Sequence, residues 1–261
     1  MMLKFVKILI YRVQIHYSET GTKTLRLKSY DTRNNMLKSN TTFNVESLTT
    51  PDPHAILPIK GEFLYKGEIA SGEAFIYHSD KTPFLESPII FVEGIDYDNS
   101  RGWDELYHLL NQENLLENLR SEGNDLVILN FEDSTDYIQR NAFLLVRLIQ
   151  QINTIINNKK PLIVIGASMG GLVGRYALAY MEQYDIPHST KLFISFDSPH
   201  KGANIPLGDQ YMLPFFSGES AEVRTWLGRL TSLAAKQMLV YHYSASITDQ
   251  TASRNCISST Y

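Results

Sequence analysis

The sequence predicts an α/β fold: a mostly parallel sheet with crossover helices, preceded by a short β-rich N-terminal region. Three observations carry that reading. From Pro88 onward, short continuous apolar runs recur: Ile89-Ile90-Phe91-Val92, Leu126-Val127-Ile128-Leu129, Leu162-Ile163-Val164-Ile165 and Leu192-Phe193-Ile194-Ser195-Phe196. Strands buried on both faces are unbroken in this way, whereas one-sided strands alternate. The segments between the runs are long enough for helices to cross the sheet, and Tyr137 to Ile156 carries apolar residues in a helical pattern broad enough to cover one face. Finally, PLIVIGASMGGLVGRYALAY, Pro161 to Tyr180, joins one apolar run to a small-residue helix through a sharp turn.

Residues 1–85 form the β-rich region. Val13, Ile15 and Tyr17 share a face, Ser18 to Thr22 makes a turn, and Leu25 and Leu27 resume the alternation, which predicts a hairpin. Asp31 to Thr42 is polar and reads as a loop, and Pro51-Asp52-Pro53 with Pro58 reads as a linker. A second hairpin is expected from Phe63-Leu64-Tyr65, a turn near Ser71-Gly72, and Ala74 to Tyr77. Residues 86–208 are the α/β core. Residues 209–243 form an apolar helical segment in which Leu213, Phe215, Phe216, Trp226, Leu227, Leu230, Leu233 and Leu239 dominate. Residues 244–261 are a polar tail with eight Ser or Thr residues and no strand pattern.

The length of 261 residues fits one large domain, or one domain with a small companion. A hydrophobic content of 43% and a charged content of 20% are ordinary for a globular chain. The net charge of −4, without a long basic run, argues against nucleic acid as the main partner. No apolar stretch reaches the roughly 18 residues a transmembrane helix needs. Lysines followed by apolar residues open the chain, but Arg12 interrupts them and no small-residue cleavage site follows. No signal peptide is therefore expected, and the chain as it stands reads as cytoplasmic. The single cysteine, Cys256, excludes an internal disulfide framework and a multi-cysteine metal site.

Gly166-Ala167-Ser168-Met169-Gly170 fits G-x-S-x-G, the pattern of a nucleophilic serine on a tight strand-to-helix turn. Glycines two before and two after the serine give the room that the turn requires. A serine hydroxyl is a poor nucleophile alone. It needs a histidine to accept its proton, a carboxylate to orient the histidine, and N–H donors for the developing oxyanion. One donor is expected from Met169, the residue after the serine. The second is expected from the loop Val92-Glu93-Gly94-Ile95-Asp96, with Ile95 first and Gly94 beside it.

The base is harder to place. In this motif's fold the chain order is serine, acid, histidine, so only His188, His200 and His242 qualify. His200, in Asp197-Ser198-Pro199-His200-Lys201-Gly202, follows a strand end and lies near the active face. It reads either as the base or as a residue shaping the pocket. His242, between two tyrosines, reads as a core histidine in preference to a base, and His188 sits in a polar loop. Asp197, at a strand's C-terminal end, is the candidate acid, or else a cap of the following turn. No dinucleotide fingerprint, P-loop or H-E-x-x-H occurs. Glu132, Asp133 and Asp136 read as a solvated loop and helix start in preference to a cation site.

Taken with the blocks PIIFVEGID, ILNFEDSTDYIQRNA, VIGASMGGLVGRYALAYME and FISFDSPHKGANIPLGDQYM, the chain resembles serine lipases and esterases of the α/β-hydrolase superfamily. The resemblance is closest to lipase-like hydrolases of the kind found in Bacteroidetes bacteria, and covers roughly residues 88–243. It implies an α/β-hydrolase-type sheet, Ser168 as nucleophile, hydrolysis of a small-molecule or lipid ester, and no metal or organic cofactor. It also implies that Ser198 to Ala203 lines the active side of the sheet and that 209–243 forms a lid-like segment. Proteins of this kind continue through further strands whose loops hold the triad acid and histidine. The sequence is accordingly expected to be a truncated member, with the C-terminal part of the sheet missing. The alternative expectation is a catalytically incomplete fragment, or a non-catalytic binding module that keeps the fold.

Overall fold

Two strands, β1 (Gly21–Tyr30) and β2 (Met36–Val45), pair antiparallel from Gly21↔Val45 to Tyr30↔Met36. They belong to a unit of their own, Met1–Thr49, separate from the unit Thr50–Tyr261. The structure, a computed structural model, describes residues 21–30, 34–45, 50–157 and 160–244. β2 occupies much of the segment expected to be a loop. Its Asn40, Thr41 and Thr42 are exposed, so no apolar alternation marks the strand, although β-branched threonine suits an extended chain. The expected arm at Val13 to Tyr17 lies outside the described residues.

In the second unit, β3 (Ala55–Lys60), β4 (Ser71–Tyr77), β5 (Pro88–Val92), β6 (Asp125–Phe131), β7 (Leu162–Ala167) and β8 (Thr190–Phe196) form one sheet in the order β3-β4-β6-β5-β7-β8. β3 and β4 run antiparallel to their neighbours, and the rest of the sheet is parallel. The predicted α/β class holds. β4 is an interior strand of this second unit, and its Ala74, Phe75, Ile76 and Tyr77 are buried. The supposed linker becomes β3. Its Pro58 is tolerated because β3 is an edge strand, where a missing N–H goes unnoticed. Phe63 to Tyr65 is not a strand; it lies in the connection that Gly61 and Ala70 close with a backbone hydrogen bond of 2.9 Å.

Helices α1 (Trp103–Leu110), α2 (Leu115–Glu122), α3 (Ile138–Ile155) and α4 (Met169–Gln183) cover the sheet, and α5 (Leu207–Phe216), α6 (Ala221–Thr231) and α7 (Leu233–Met238) follow it. Alternation along the buried strands separates two cores. Ile90, Val92, Val127, Leu129, Leu162 and Val164 pack with α3 and α4. Ile89, Phe91, Leu126 and Ile128 pack with Leu106, Tyr107 and Leu116 of α1 and α2. Each fully buried leucine of α3, such as Leu144 or Leu148, contributes about 1.5–3 kcal/mol. Asp125, at the start of β6, is fully buried. Its carboxylate accepts from the N–H groups of Ser79, Glu86 and Ser87 at 2.7–2.8 Å.

The second core stops short of β8. Ile163↔Leu192 and Ile165↔Ile194 are cross-strand pairs, and Leu192, Ile194 and Phe196 are exposed at 47%, 40% and 68%. β8 is the edge of the sheet among the described residues. Helices α5, α6 and α7 are tied down by amides. Gln210 is fully buried, donates to the carbonyls of Ile205 and Tyr241, and accepts from the N–H of Tyr243. Gln237 of α7 accepts from the N–H of Ile138 at the start of α3. Among the described residues no helix is long and apolar enough to cross a membrane.

Candidate active site

Parallel strands bring the loops after β5, β6, β7 and β8 to one edge of the sheet, the edge where open α/β sheets build their sites. At the end of β7 the chain turns sharply at Ser168, with φ 53° and ψ −122°. This backbone lies far from both right- and left-handed helical values and costs on the order of 1–3 kcal/mol in a non-glycine residue. The surroundings enforce it. Ser168 N–H donates to the Phe196 carbonyl at 2.9 Å, and its carbonyl accepts from Gly171 N–H at 3.2 Å. A Cβ at Gly166 would run into the Gly170 carbonyl, and a Cβ at Gly170 would run into the carbonyls of Val92 and Glu93. Ser168 itself is exposed, while Met169 and Gly170 behind it are buried. Met169 opens α4, so its N–H has no partner within the helix.

The loop after β5 crosses directly above this turn. A Cβ built on Gly94 would stand 3.4 Å from Ser168 Cβ and 4.0 Å from its Oγ. The loop is hydrogen-bonded to the end of β6 and to the segment that follows it. Glu93 Oε1 accepts from Phe131 N–H at 2.8 Å. Asp96 N–H donates to Ser134 Oγ, which donates in turn to the Asp96 carbonyl, both at 2.7 Å. The Asp96 carboxylate then accepts from the N–H groups of Ser100 and Arg101, closing the loop ahead of α1. Burial, with Asp96 nearby, pushes the Glu93 carboxyl up to about 8, against the opposing pull of the Phe131 hydrogen bond and Arg101. Farther along, Asp98 pairs with Arg229 of α6 at 2.8 Å, and that guanidinium lies over the rings of Tyr97 and Trp226.

The polar residues after β8 gather beside α4. His200 Nε2 shares a hydrogen bond of 2.6 Å with Ser195 Oγ, and His200 Nδ1 is buried without a partner. Burial, then the charge of Arg175, lowers the His200 pKa. Asp197 is exposed with φ 48°. Among the described residues no histidine hydrogen-bonds to Ser168, and no ion pair or hydrogen bond joins Asp197 to His200. His242 is buried between the Leu230 carbonyl and Ser244 Oγ. His188 receives Thr190 N–H and faces Glu182. The acidic residues after β6 have protein partners: Glu132 with Ser71, Asp133 with Thr135 and Asn99, and Asp136 with Arg140. No cluster that could hold a metal ion occurs among the described residues.

Ser168, Met169, Gly94 and Ile95 are thus neighbours around one turn, and His200 and Asp197 lie on the adjoining loop. Glu93 and Ser134, which fix the loop over the serine, were not foreseen as site residues. The sequence signal for Glu93 was present: a carboxylate placed directly at the end of the apolar run IIFV.

A search of the curated proteins finds no match. Solved structures that the chain resembles include a lipase from Bacillus licheniformis in its mature form. It has 17% identity and a TM-score of 0.45, over 71% of this chain and 65% of that one. A Xanthomonas campestris member of the α/β serine hydrolases without a lid shares 16% identity at a TM-score of 0.39, over 59% and 65%. Brefeldin A esterase, a bacterial homologue of human hormone-sensitive lipase, shares 11% identity at a TM-score of 0.39, over 83% and 54%. The chain therefore spans less than two thirds of the length of each of these proteins. Residues 129–259, half of the chain and including the whole turn at Ser168, match the family model of the PGAP1-like alpha/beta domain. On that match, the chain belongs to the PGAP1-like alpha/beta domain family.

Proposed function

We propose that the chain carries the nucleophile and oxyanion site of a carboxylic-ester hydrolase of the lipase or esterase type. One observation carries the reading. Ser168 is held at φ 53° and ψ −122° on a strand-to-helix turn, with its side chain exposed beneath the Gly94 loop. Strain of this kind persists only where the surroundings enforce it, and it concentrates at sites of function. In this reading the Ser168 hydroxyl loses its proton to a base and attacks the acyl carbonyl. The oxyanion is received by the N–H groups of Met169 and of Ile95 or Gly94. Collapse expels the alcohol, and water releases the acid from the acyl-enzyme. The helical segment 209–243 acts as the cap of the site, in keeping with the Arg229–Asp98 pair that ties α6 to the loop above Ser168.

A second reading has its own support. His200 is engaged by Ser195, which favours a chain that keeps the turn and the donors without a complete triad and binds an ester without turning it over. A fluorophosphonate probe separates the two. The hydrolase reading expects covalent mass on Ser168, abolished in Ser168→Ala. A folded wild-type protein that takes no label removes it and leaves the binding reading.

A further inference from the structure

Glu93 takes no part in the acyl transfer just described, yet its carboxyl group decides where the loop above Ser168 runs. β6 directs alternate N–H groups to β4 and to β5. Glu132 N–H donates to Ser71 on the β4 side, so the N–H of the preceding residue, Phe131, faces the β5 side. The β5–β6 ladder has already ended at Val92↔Leu129. Glu93 Oε1 meets Phe131 N–H at 2.8 Å, so a side-chain oxygen stands where the next strand carbonyl would be. The main chain is thereby released from the sheet one residue before Gly94 and turns over the serine. Asp96, two residues beyond Gly94, is locked to Ser134. Gly94 and Ile95 therefore lie between two clamps, both anchored on residues 131–134.

We propose that Glu93 is a positioning residue: by replacing a strand carbonyl at Phe131 N–H, it sets Gly94 and Ile95 over Ser168 as oxyanion donors. The proposal rests on the reading of Ser168 as a nucleophile. Glu93 is 6% exposed, and its Oε2 is buried without a partner. The charged groups acting on it are Asp96 in the same loop and Arg101 ahead of α1, while the end of β6 meets it with a backbone N–H. Burial raises its pKa to about 8, which favours the uncharged form near neutral pH. It can then accept from Phe131 without placing a negative charge beside a forming oxyanion.

The test follows Ser168 labelling by a fluorophosphonate against pH, together with amide exchange at Phe131 and at Gly94 to Asp96. Glu93→Gln, which keeps an acceptor and cannot ionise, is expected to label like wild type below about pH 8 and to lack the fall that wild type shows above it. Glu93→Ala is expected to label about 10²-fold more slowly, the scale of losing an oxyanion donor, and to lose exchange protection at Phe131 and Asp96. Wild-type labelling and protection in Glu93→Ala would overturn the proposal. If Glu93→Ala does not fold, Glu93→Met, which fills the space without an oxygen acceptor, takes its place, and wild-type labelling and protection in it overturn the proposal. A wild type that takes no label defeats the nucleophile reading, while exchange protection still judges whether Glu93 holds the loop.

Discussion

His200 Nε2 lies 2.6 Å from the hydroxyl of Ser195, so the histidine on the loop adjoining the turn at Ser168 is spent on the end of β8. A histidine tied to a structural serine should be felt in stability. His200→Ala and Ser195→Ala are each expected to destabilise by about 1 kcal/mol, the scale of one hydrogen bond. The double variant should cost less than the sum, because both changes remove the same bond. Urea denaturation of the three variants gives the coupling, and strict additivity would count against the bond.

The same histidine gives a pH dependence. His54, His200 and His242 all have lowered pKa values, with burial the largest cause in each. The unfolded chain therefore takes up protons first, and stability is lost as pH falls below about 6.5, the unperturbed histidine value. Glu93 acts in the opposite direction. Its raised value means that stability declines as pH rises from the ordinary carboxyl range toward about 8. His200→Gln should flatten the acid loss only in part, since two other histidines remain. Glu93→Gln should remove the decline toward alkaline pH. Urea midpoints across the range for each variant against wild type check both signs.

Gly170→Ala places a methyl group against the carbonyls of Val92 and Glu93, which are backbone and cannot rotate away. Overpacking at such a position costs about 1–3 kcal/mol. The shift it forces falls on the loop that carries Gly94, so labelling at Ser168 should drop along with stability. Measured together, a loss of stability with labelling unchanged would detach the loop's position from the packing of α4.

Asp125 offers a stability test at the opposite end of the sheet. Asp125→Ala leaves the N–H groups of Ser79, Glu86 and Ser87 without their acceptor, and a loss on the order of 3 kcal/mol is expected. Asp125→Asn, which keeps one acceptor oxygen, should lose less. Labelling rates at Ser168 in the folded fraction should be unchanged, because the carboxylate lies at the N-terminal ends of the parallel strands.

What was legible in the sequence follows burial. The runs at 89–92, 126–129, 162–165 and 192–196 became β5 to β8 because strands covered on both faces write a continuous apolar signal. The helix from Ile138 to Ile155 was equally plain, since much of its surface is buried. β2 left no such trace, because its Asn40, Thr41 and Thr42 face outward. β3 was hidden by Pro58, which a reader of local pattern takes for a break and an edge strand accepts. At the site, the glycines around Ser168 announced the turn through steric need. Glu93 and Ser134 act through partners 38 residues away in the chain, and no local pattern records a distance of that kind.

Finally, β8 bears on how the protein must be handled. Leu192, Ile194 and Phe196 stand in a row on a strand that is the sheet's edge among the described residues, and this is the geometry from which one chain recruits another into an extended sheet. Concentrated stocks should therefore be prone to association through residues 190–196. A lysine in place of Ile194 would interrupt that templating, and it would sit on the face away from α4, leaving the serine turn as it is.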